Sequence, residues 1–95
     1  MTEFPRVFAD FNDLLSSPRR LWLDTVGARE DLERQGIELR EGLEITLYDH
    51  DLGEAGNRDD LIVEGVVSRD RATGRWIATI DPDAIRHESS DRPAK

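Results

Sequence analysis

The chain has 95 residues, 37% of them hydrophobic and 36% charged, enough for one domain with a single modest core and not for two. It contains no cysteine, which excludes disulfides, thiolate nucleophiles and thiolate-bound metals. Its net charge of −8 works against nucleic acid and anionic membranes, whose binders need clustered cations, and favours basic partners. No charged-then-apolar leader opens the chain and no apolar run approaches about 18 residues, so the expectation is a cytoplasmic protein without membrane contact.

Val7 to Asn12 sets Val7, Ala9 and Phe11 against Phe8, Asp10 and Asn12, the alternation of an edge-like strand whose exposed edge would permit a monomer or a weak dimer. Ser16-Ser17-Pro18 reads as a loop. Arg20 to Asp24 then alternates Leu21 and Leu23 with Arg20, Trp22 and Asp24, and an antiparallel hairpin with the first strand is expected, with Leu14 and Leu15 tucked beneath the loop. AREDLERQ, residues 28–35, is made of helix formers, with Glu30 and Asp31 placed early for the positive end of the dipole. Gly36 supplies the stop, with Ile37 folding back onto Leu32.

The second half is more regular. Leu43, Ile45 and Leu47 alternate with Glu44, Thr46 and Tyr48, and a polar, glycine-bearing loop follows at 49–60. Leu61 to Arg69 is apolar on both faces and reads as a central strand, with Gly65 marking a bulge or bend. Asp70 to Gly74 is a hairpin turn into Trp76–Ile80, where Trp76, Ala78 and Ile80 share a face. Asp81-Pro82 begins a single helical turn, and Ile85 anchors a last short strand. The fold class expected is α+β, mainly β: about five short antiparallel strands in a curled sheet or barrel, with one short helix. Residues 1–87 form the domain and 88–95 a tail. Val7, Phe11, Leu21, Leu23, Leu32, Ile45, Leu47, Val63, Val67, Trp76, Ala78 and Ile80 make the expected core.

The string LYDHD, Leu47 to Asp51, with the acidic loop, Asp59-Asp60-Leu61 and the later Trp76, resembles the opening of a Src-homology-3 domain. That resemblance implies a groove for proline-rich peptides, with Tyr48 and Trp76 as its aromatics and the acids selecting a basic ligand residue. The match covers about a dozen positions and then departs. Only one strand separates Leu61 from Trp76, and DPDAIRHE stands where the family ends in a proline-asparagine-tyrosine element, so the likeness is one of shape alone.

Asp49, Asp51, Glu54, Asp59 and Asp60 offer oxygen ligands, but Gly53 and Glu54 fall where a calcium loop needs a ligand and a glycine. The loop reads as solvated, and a metal- or ligand-responsive regulator acting through residues 49–60 is the alternative function. His50 and His87 are the only histidines and form no local ligand pair, so neither a metal nor another cofactor is expected. No serine stands in a catalytic arrangement, and the chain is not expected to be an enzyme. Trp22 and Tyr48 fall on the outward faces of their strands, with Arg20, Arg69 and Arg71 as nearby cations, and these five are the candidate binding residues. The function expected is a non-catalytic module that binds a protein or peptide, with nucleic acid ranked last.

Overall fold

The computed structural model describes residues 5–15, 19–50 and 60–88. Over these residues six strands form one sheet: β1 (Arg6–Phe8), β2 (Arg20–Trp22), β3 (Glu44–Asp49), β4 (Leu61–Arg69), β5 (Trp76–Ile80) and β6 (Arg86–His87), with one α-helix, α1 (Val26–Gln35). The strand order is β1-β3-β4-β5-β2, with β6 pairing with β4. The expected α+β, mainly β class is the one observed. The sheet stays open, however, and does not curl into a barrel. Its edge strands β1 and β2 have three residues each and lie at opposite sides of the sheet, so no ladder joins them.

The two halves of the chain differ in how their strands find partners. From β3 onward, β3 pairs antiparallel with β4 and β4 with β5, in the places the alternation predicts. The first half does otherwise. β1 runs parallel to β3, with Val7 opposite Leu47, whereas β2 pairs with β5 at the far edge. The expected hairpin between them is therefore absent. The alternating pattern continues to Asn12, but Asp10 turns the chain: its carbonyl accepts from the Asp13 amide and its carboxylate from the Asn12 amide. Phe11–Leu15 becomes a 3₁₀ segment, and the chain crosses to the opposite edge.

Thr25 caps α1, its hydroxyl accepting from the Ala28 amide, so the helix begins two residues earlier than composition indicates. Glu30 and Asp31 consequently lie beyond the first turn, and the dipole reading of them is replaced by the contacts described below. Gly36 adopts φ 67°, and the Ile37 amide donates to Leu32 O at 2.9 Å, the stop that the sequence indicates. Ala28 and Leu32 enter the core.

That core lies on one face of the sheet, where Val7, Leu21, Ile45, Leu47, Val63 and Val67 are fully buried. Phe11 and Trp76, expected inside, are only partly buried against it. Ile62 and Ile77 are buried as well, although alternation turns them to the other face. Gly65 makes no bulge towards β3, whose register with β4 is continuous from Glu44↔Val66 to Asp49↔Leu61. Its role is space. A Cβ there would stand 2.9 Å from Leu47 Cδ1 and 3.2 Å from both Ala78 Cβ and Ile80 Cγ2. On its other side β4 is accompanied by β5 and then β6, with the turn Pro82–Ala84 looped out between them under the cap of Asp81.

Candidate functional site

The site begins with a problem of strand β1. Ala9 donates to Tyr48 O and Thr46 to Pro5 O, so the parallel ladder uses one side of β1 and leaves the Phe8 N–H and the Arg6 carbonyl pointing off the sheet. Helix α1 satisfies both. Asp31 Oδ2 accepts from the Phe8 amide at 2.9 Å, and Gln35 Nε2 donates to Arg6 O at 2.6 Å. Two side chains one helical turn apart thus stand in for a neighbouring strand.

Asp31 does more than close that edge. The Tyr48 hydroxyl, arriving from β3, donates to the same Oδ2 at 2.6 Å, and Arg34 pairs with Oδ1. The carboxylate is buried, at 4% exposure. Burial opposes its charge, but the hydrogen bonds from Tyr48, the Phe8 amide and Arg34 outweigh that and hold the Asp31 carboxyl below the usual aspartate range. Burial and the adjacent carboxylate push the Tyr48 hydroxyl the other way, above the usual phenol range. The pair is fixed as a neutral phenol donating to a carboxylate.

Above it Arg6 lays its guanidinium over the Tyr48 ring, 5.1 Å from the centroid. Arg6 also bonds Glu88 Oε2 at 2.9 Å and approaches Asp60 Oδ2 at 3.5 Å. The Glu88 amide donates to Asp60 O at 2.7 Å, so the residue at which composition begins the tail is tied to the sheet. Arg6, Arg34, Gln35, Tyr48, Asp60 and Glu88 together line an open cleft of about 420 Å³. His50 flanks it, with Nδ1 3.4 Å from Asp60 Oδ1 and its ring within 6.0 Å of both Phe8 and Tyr48.

The remaining sequence candidates lie at the other end of the sheet. Trp22 is half-buried beneath Arg75, whose guanidinium carbon is 3.9 Å from the ring centroid and which binds Asp24 through two bonds of 2.7 Å. Arg20 pairs with Asp70, Arg69 lies 4.5 Å over Trp76, and Arg71 is exposed in the turn. Tyr48 is opposite Ile62 on β4, while Trp22 reaches β4 through Ile77 at Ser68. Six residues of strand separate those positions, about 20 Å. Trp76, opposite Arg69, is seven residues from Ile62, about 23 Å. Tyr48 therefore shares no groove with Trp22 or with Trp76, and the arrangement implied by the Src-homology-3 resemblance is not formed.

Asp49 is turned inward, accepting from the Phe11 and His50 amides. Residues 51–59 of the acidic loop lie outside the described residues. Among those described, no three histidine or acidic side chains are grouped to hold a metal ion, and no helix is long and apolar enough to cross a membrane.

Sequence reasoning named Tyr48 but missed its partners Asp31 and Arg6, and missed Gln35, which bonds the Arg6 carbonyl. The available signal was the helix face: Asp31 adjoins Leu32 and follows Ala28 by three, which puts an acid on the side that packs. No family model matches the chain, and no curated protein or solved structure is significantly similar to it.

Proposed function

We propose that this chain is a small non-catalytic interaction module that binds a protein or peptide segment in the cleft between α1, β1 and Glu88. The observation that carries the reading is the Arg6 guanidinium held over the Tyr48 ring at the mouth of the cleft. A stacked arginine is an oriented, multiply donating group, and arginine and tyrosine are common anchors of binding surfaces. The cleft volume falls within the roughly 300–1,000 Å³ of ligand sites, although this one is shallow and polar and suits a side chain or a turn of backbone.

Chemistry is the weaker reading for the same residues. Proton transfer is favoured when donor and acceptor have matched affinities near working pH. Here the Tyr48 hydroxyl is pushed up and the Asp31 carboxyl held down, so their proton stays on Tyr48. The overall charge of −8 supports a protein partner over nucleic acid.

The test compares three baits in capture from native lysate: the wild type, Arg6→Ala/Arg34→Ala in the cleft, and Arg20→Ala/Trp22→Ala at the opposite edge. Each is first checked for folding by its thermal melt. A partner held by the wild type and the edge variant but lost from the cleft variant supports the reading. A partner held equally by the cleft variant contradicts it.

A further inference from the structure

The charges around the cleft are sorted by exposure. Of the lining acids and their neighbours, Asp60 is 8% exposed and Asp31, paired with Arg34, 6%, whereas Arg34, Arg6 and Glu88 are 66%, 42% and 38% exposed. The buried acids are committed: Asp31 to Phe8, Tyr48 and Arg34, and Asp60 to Arg6 and His50. The charged side chains that line the cleft are Arg6 and Arg34 against Asp60 and Glu88, and its most exposed member is the Arg34 guanidinium. The Glu88 carboxylate is the least secured member. Glu88 makes one side-chain bond, to Arg6, and it directly follows β6.

We propose that the cleft is a carboxylate-recognition site for an acidic segment of a partner protein, and that Glu88 occupies it in cis as a displaceable competitor. The inference rests on the interaction-module reading and specifies its ligand. A glutamate or aspartate side chain of the partner takes the place of Glu88 on Arg6, while Asp60 remains beneath to keep that guanidinium in position over Tyr48. Arg34 supplies the second cation across the cleft. Glu88 keeps its charge when displaced, so the partner's acid is held by the Arg6 fork against the field of an acidic protein, and binding is expected to strengthen as salt screens that field. Exposed ion pairs contribute little net stability, which makes the internal occupant easy to displace. Arginine suits the role because its fork matches a carboxylate and its position is fixed by the ring below.

The experiment is fluorescence anisotropy on the full chain with a labelled peptide of alternating glutamate and serine, beside the same peptide with glutamine for glutamate. Glu88→Gln is expected to tighten the glutamate peptide roughly three- to fivefold, the weight of one exposed ion pair. Arg6→Ala weakens it at least tenfold, Arg6→Lys falls between because a point charge lacks the fork, and the glutamine peptide does not bind. Arg34→Ala also weakens binding, and because it removes one partner of buried Asp31 its thermal melt is measured beside its affinity. The proposal is overturned if Glu88→Gln leaves the affinity unchanged or lowers it, or if the glutamate and glutamine peptides bind alike. It is also overturned if the acidic peptide binds neither the wild type nor Glu88→Gln. In that last case, a cleft-dependent partner in the capture experiment leaves the interaction module standing without acid recognition, and failure of both removes both.

Discussion

The two edges of the sheet use the same pair of devices, an arginine over an aromatic ring and an arginine paired with aspartate, to different effect. At the β1 edge the devices are built around buried Asp31, and α1 bonds the outward backbone groups of the strand. At the β2 edge they lie at the surface. Arg75 covers Trp22 and grips Asp24, and Arg20 meets Asp70. Leu23 donates to Trp76 O and Ile80 to Arg19 O, which turns the Arg20 and Trp22 backbone groups away from β5, and no described residue bonds them. Depth decides the weight of each set. An unpaired group left in a buried site costs its full desolvation, whereas water replaces a lost partner at the surface.

The largest test of that contrast is Asp31→Ala. It leaves the Phe8 amide and the Tyr48 hydroxyl without their acceptor, and we expect a loss of about 3 kcal/mol in urea unfolding. Gly27→Ala is next. A Cβ there would lie 2.6 Å from Phe8 Cδ2, so either the Phe8 ring or α1 must shift. Overpacking of about 1–3 kcal/mol exceeds the gain of about 1 kcal/mol in helix propensity, and a net loss near 1 kcal/mol is predicted in the same assay.

The pH dependence sharpens the comparison further. The folded Asp31 carboxyl is held below its unfolded value, so its stabilisation is complete above about pH 4 and disappears as pH falls through the folded value. Tyr48 has the opposite sign: its raised hydroxyl stabilises below about pH 10, and that contribution is lost as pH rises through the folded value. Urea midpoints measured against pH are expected to decline at both ends, and Tyr48→Phe removes the alkaline decline. The smallest effect belongs to the β2 edge. Arg75→Ala is predicted to leave the urea midpoint within error, despite its two short bonds to Asp24.

What was legible in the sequence was local. Alternation located β3, β4 and β5, and Gly36, Gly74 and Asp81-Pro82 announced turns whose geometry depends only on near neighbours. What escaped was pairing at a distance. Nothing between Val7 and Leu23 says that β1 will join β3 in parallel and β2 will cross to β5, because that choice depends on how α1 covers the β1 edge. Gly65 carried a visible signal with the wrong meaning, since a glycine in a strand marks crowding by Leu47, Ala78 and Ile80 as readily as a bulge. The site was half legible. Tyr48 stood out by residue type, whereas Asp31, 17 positions away, looked like a helix-dipole acid until the helix start moved to Val26.

The most direct measurement is amide hydrogen exchange at Phe8, with the outward-turned Trp22 amide as an internal reference. If Asp31 closes the β1 edge, Phe8 exchanges far more slowly than Trp22 in the wild type and loses that protection in Asp31→Ala, while the Val63 and Val67 amides of β4 remain protected. Equal exchange of Phe8 and Trp22 in the wild type would contradict the account.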